Sequence, residues 1–118
     1  MGMDGGIEVF ETQDLINNWS AIIVSIIENM EPRSYHWPHE QEDFDKTRER
    51  AYDYLYAKPK SKEEICDILS HIHRACDTPT LIGDYLIMST GDNVPDPFYR
   101  MVEGIRNVIN SRYIETWT

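Results

Sequence analysis

A chain of 118 residues with 41% hydrophobic side chains has material for one core and room for one domain, which excludes two ordinary domains and wholesale disorder. Its formal net charge of −10 argues against general, charge-driven binding to nucleic acid or anionic lipid. No apolar run approaches the ~18 residues needed to span a bilayer, and the best stretch, Trp19 to Ile27, is interrupted by Ser20 and Ser25.

The charge is uneven. Residues 1–45 hold ten acids and one base, Arg33, a sum of −9, whereas residues 46–118 hold eleven acids and ten bases, a sum of −1. From Lys46 to Lys62 six bases face only Glu49 and Asp53.

In chain order, residues 1–11 read as a flexible N-terminal segment ahead of a single helical domain that makes up the rest of residues 1–118. A helix is predicted from Gln13 to Met30 with Thr12 as its cap. At 100° per residue, Leu15, Ile16, Trp19, Ile22, Ile23, Ile26, Ile27 and Met30 fall on one arc. Pro32 and Pro38 disfavour helix around the linker Tyr35-His36-Trp37-Pro38-His39. A second helix is predicted over 41–57, with Phe44, Ala51, Tyr52 and Leu55 inward and acids in its first turn, where they complement the helix dipole.

Ser61 with Glu64 fits a capping box that opens a third helix, 62–76, with Ile65, Ile68, Leu69, Ile72 and Cys76 on its inner face. Thr78 and Pro79 fit the cap and first position of a short fourth helix over 79–89. The alternative for Tyr85 to Thr90 is a strand, disfavoured because a lone strand without a partner is unstable. Asp96 and Pro97 open a fifth helix with Phe98, Met101, Val102, Ile105, Val108, Ile109 and Tyr113 inward. The expected class is therefore all-α, a compact bundle or orthogonal array of about five short helices.

Cys66 and Cys76, ten positions apart on one expected helix, cannot meet as a disulfide and read as reduced thiols, Cys76 in the core. Together with a first segment that lacks a basic start and an apolar stretch, this gives a cytoplasmic expectation.

No cofactor or metal site is expected. His36 and His39 beside Glu40, Glu42 and Asp43 form the densest set of potential ligands, but zinc needs three or four converging donors, and no recognisable spacing is present. A small metal-dependent or hydrolytic enzyme built on this cluster is the alternative function. A nucleic-acid binder resembling a helix-turn-helix is a further alternative; residues 79–90 offer no Lys, Arg, Asn or Gln to read bases, so nucleic acid is not expected as a partner.

The favoured reading is a non-catalytic protein that binds a protein partner with a basic surface, in an inhibitor, immunity-type or adaptor role. Aromatic anchors beside carboxylates suit such a contact. Tyr35, Trp37, Glu40, Glu42, Asp43 and Asp45 supply both. A homodimer is also left open, through Tyr113 and Trp117.

Overall fold

The computed structural model describes residues 5–31, 38–91 and 94–116, with the side chains of residues 38, 39 and 116 left out. It contains β1 Gly5–Glu11, α1 Thr12–Asn17, α2 Trp19–Asn29, α3 Pro38–Tyr52, α4 Lys62–Ile72, β2 Thr80–Ile82, β3 Tyr85–Ser89, α5 Asp96–Arg106 and β4 Arg112–Thr116. The strands form one antiparallel sheet in the order β2-β3-β1-β4. The class is mixed α and β, which corrects the expectation of an all-α bundle.

The correction has three local causes. Residues 5–11, expected as a flexible lead-in, are an inner strand paired on both sides, Val9 standing between Ile87 of β3 and Arg112 of β4. The expected fourth helix is instead a hairpin. Ile82 pairs with Tyr85 across the two-residue loop Gly83-Asp84, and Gly83 has φ +60°, as the first central position of a type II′ turn requires. Finally, Tyr113, expected on the last helix, lies on β4, where its ring stands over Gly6 of the neighbouring strand. The strand that seemed to lack a partner has two.

The helices follow their apolar periodicity more closely. Leu15, Trp19, Ile22, Ile23, Ile26, Ile27 and Met30 are all buried, although the expected single helix bends at Asn18 into α1 and α2. Ser61 accepts a hydrogen bond from the Glu64 amide at 3.2 Å and caps α4. That helix stops at Ile72, short of Cys76, because His73 is extended and Ala75 and Thr78 close a tight turn with Cys76 and Asp77 at positive φ. Cys76 is thus exposed rather than a core residue.

The core lies between the helices and one face of the sheet. Phe10, Leu86 and Met88 project from the strands into the cluster formed by α2, α4 and α5. Gly104 lets α5 come against α2, since a Cβ there would fall 2.8 Å from the Ile26 Cα. Two side chains of α2 bond across this contact, Ser25 Oγ to the Gly104 carbonyl at 2.6 Å and Asn29 Nδ2 to the Arg100 carbonyl at 2.7 Å. Lys62 ties α4 to the hairpin by donating to the Gly83 carbonyl at 3.0 Å and pairing with Asp84 at 3.1 Å. No described helix is long and apolar enough to cross a membrane.

Candidate functional site

Side chains alternate along a strand, so each strand of a one-sided sheet should turn its apolar residues inward. In β1 the alternation runs the other way. Gly6, Glu8 and Phe10 are buried, while Ile7 and Val9 face outward. Glu8 is tolerated inside because both its oxygens are engaged, Oε1 by Arg106 Nη1 at 2.9 Å and Oε2 by Ser111 Oγ at 2.5 Å. A buried carboxylate paired in this way avoids most of the cost that an isolated one would carry.

The outward residues continue across the register. Ile7 stands beside Ile114, Val9 beside Ile87, and Ile87 beside Thr80, with Tyr85 and Ile82 paired at the hairpin end. Ile7, Val9, Ile82, Tyr85, Ile87 and Ile114 line a groove of about 570 Å³, edged by Glu11 and Asp14 at one end and by Asn110, Ser111 and Arg112 where the chain enters β4. Ile82 is 64% exposed, Tyr85 46% and Ile114 42%. None of the described helices covers them. The central strands therefore carry aliphatic side chains on their outer face as well as core residues on the inner one, the pattern of a sheet covered on both sides, and the outer side chains stay partly open to water. A contiguous apolar patch of this kind marks an interaction surface more often than chance exposure does.

The acids singled out in the sequence lie elsewhere, on α3. Glu42 pairs with Lys46 at 2.8 Å, Asp45 with Arg48 at 3.0 Å while accepting from Gln41, and Asp43 lies 3.6 Å from His73 Nε2. Lys46 holds the Glu42 carboxyl below the ordinary range, first through the hydrogen bond and then through its charge. Glu40 lies in the first turn, half-buried. Glu42 and Asp45 are thus matched by bases of their own helix, and Asp43 faces His73 just past the end of α4. Tyr35, Trp37 and His36 lie outside the described residues, as does the side chain of His39.

Among the described residues no three His, Cys, Asp or Glu side chains gather as metal ligands would. His71 is engaged at 2.6 Å by the Tyr54 hydroxyl, and His73, half-buried against Phe98, points toward Asp43. The helix-turn-helix outline is absent, because its second helix is the β2–β3 hairpin.

Sequence reasoning missed Ile7, Val9, Ile82, Tyr85, Ile87 and Ile114 as a group. One signal was present. Gly83-Asp84 between apolar pairs is a two-residue hairpin signature, and it supplies the first partner for the strand at Tyr85. Compared with known proteins, the chain matches no family model, no curated protein and no solved structure.

Proposed function

We propose that this protein acts by binding another polypeptide rather than by catalysis, and that the partly open outer face of its sheet is the contact surface. The observation that carries the reading is the placement of Ile7 and Val9 outward on an inner strand whose other face holds the core. Ile7 and Val9 are half-buried, so the outer face forgoes part of the roughly 1.5–3 kcal/mol that full burial of such a side chain is worth. A binding partner recovers it.

The acidic helix α3 is a weaker anchor. Its ion pairs are exposed and locally neutralised, and such pairs contribute mainly to the rate of encounter. An inhibitor, immunity-type or adaptor role is compatible with a surface of this kind. Affinity capture with the wild-type chain and with Ile87→Lys tests the reading. A partner retained by the first and lost by the second, with circular dichroism unchanged, is expected. Partners that are indifferent to Ile87→Lys would count against this face.

A further inference from the structure

We propose that the outer edge of β4 is an interface through which two copies of this chain join edge to edge into one continuous sheet, pairing antiparallel about a two-fold axis at Ile114. The inference goes beyond the outer face as a contact surface, because it concerns the rim of the sheet and leaves that face open.

The ladder dictates which main-chain groups of β4 are free. The Gly6 carbonyl accepts from the Thr90 amide, and the Thr12 amide donates to the Asp84 carbonyl. Main-chain groups alternate in direction along an antiparallel strand, so Gly6, Glu8 and Phe10 turn theirs to β3, and Ile7 and Val9 turn theirs to β4. Ile7 and Val9 therefore bond Ile114 and Arg112, which stand opposite them. Tyr113 and Glu115, alternating with these two, direct their N–H and C=O groups away from the sheet. No described residue bonds those groups.

The opposite edge of the sheet is guarded and this one is not. In β2, three residues long, only Leu81 turns main-chain groups outward, and Lys62 and Cys66 of α4 reach the carbonyls of Gly83 and Pro79 on either side of it. A short edge with a helix beside it does not recruit strands. In contrast, β4 has five residues, no proline, and Tyr, Ile and Thr, which favour strands. Tyr113, singled out in the sequence for a contact between copies, lies on this edge, whereas Trp117 lies outside the described residues.

A second copy satisfies the edge completely. Centred on Ile114, two β4 strands overlap along their whole length, and Tyr113 stands opposite the partner's Glu115. Those two residues carry the free groups, so every one of them on both edges is bonded. Arg112 falls opposite Thr116, and like charges would face each other only in registers centred on Arg112 or Glu115, which also shorten the overlap. A strand from an unrelated chain would leave its own far edge open. Pairing about a two-fold axis instead closes, and the joined sheet ends on both sides at the guarded β2. The axis runs normal to the sheet, so both outer faces look the same way and the two grooves meet at Ile114.

The contact is only about 17 Å long at ~3.4 Å per residue, small beside standard interfaces, so the dimer is weak, in the high-micromolar range. Sedimentation velocity of the full chain up to millimolar concentration is expected to show it. Glu115→Pro removes a free N–H and no bond to β1, so the fold should survive. By symmetry it removes two bonds between protomers, and the dissociation constant should rise at least about tenfold. Ile87→Lys, away from the edge, should leave the dimer intact. Register is read separately by disulfide formation. In a Cys66→Ser, Cys76→Ser background, Ile114→Cys puts two thiols on the axis at a non-hydrogen-bonded pair, with Cα atoms about 4.5 Å apart. It should cross-link under a mild thiol oxidant, and Arg112→Cys should not. Should Glu115→Pro lose its circular dichroism, the cross-link decides. A wild type monomeric at millimolar concentration, a folded Glu115→Pro that dimerises as well as wild type, a dimer lost on Ile87→Lys, or cross-linking through Arg112→Cys rather than Ile114→Cys overturns the proposal. If it falls while Ile87→Lys still loses a captured partner, the outer face stands without it.

Discussion

Arg106 reaches across from the end of α5 to place Nη1 2.9 Å from Oε1 of Glu8, a carboxylate only 1% exposed on an inner strand. This pair explains how a strand can turn a charged residue into the core and two aliphatic ones out. Arg106→Met would leave Glu8 buried with Ser111 alone. The expected loss is about 2–3 kcal/mol, toward the low end for a broken buried pair because Arg106 itself is 37% exposed. Glu8→Gln, which removes the charge and keeps the shape, should cost less than Arg106→Met. Urea denaturation of the two variants gives the comparison, and an equal or larger loss for Glu8→Gln would show that the buried charge is not the issue.

Two glycines separate steric from conformational cost. At Gly104 an added Cβ meets the Ile26 backbone, so Gly104→Ala should push α2 and α5 apart and cost about 2–3 kcal/mol, as overpacking does. At Gly83 there is open space but φ is +60°, and Gly83→Ala should cost about 1 kcal/mol from backbone preference alone. Thermal melts of both variants would reveal the order, and equal effects would contradict the close helix approach.

The two thiols should differ in reactivity. Burial pushes the Cys66 thiol above its ordinary pKa, whereas Cys76 is exposed on a tight turn. An aromatic disulfide reagent at mildly alkaline pH should modify Cys76 well before Cys66, with the second thiol released on denaturation. The folded chain holds the Cys66 proton more tightly than the unfolded one. The resulting contribution to stability is therefore complete below the ordinary thiol pKa and is lost as pH rises through the raised value. Equal rates for Cys66→Ser and Cys76→Ser proteins would contradict this placement.

The helical periodicities of Leu15 to Met30, Ile65 to Ile72 and Phe98 to Ile105 were legible because each is long and one-sided, and the Ser61 cap was legible from its partner at Glu64. The sheet was not, for a physical reason. Its strands are short, they pair over separations as long as Gly5 to Thr116, and β1 reverses the usual pattern because Glu8 finds Arg106 and Ser111 about a hundred positions away. A local reading puts Glu8 in water and treats Gly5-Gly6 as a flexible lead. The acids of α3 were visible as a cluster, but that Lys46, Arg48 and His73 match them emerges only from helical spacing and packing.

Association should accordingly be insensitive to α3. Replacing Glu42 and Asp43 with Gln and Asn, and Asp45 with Asn, removes three exposed or half-exposed pairing groups whose attraction is weakened by solvent. Affinity for a captured partner should change less than about threefold at physiological salt, under ~0.7 kcal/mol. Loss of association in this triple variant would move the contact from the sheet to the helices.

The outer face itself can be probed by placing one thiol on it. In a Cys66→Ser, Cys76→Ser background, Val9→Cys puts a reactive group at the centre of the groove. Its alkylation rate can be followed in dilute solution, at high protein concentration and in extract of the source cell. The rate should fall several-fold in at least one of the latter two as the face is covered. A rate unchanged in both would contradict the assignment of this face as the contact surface.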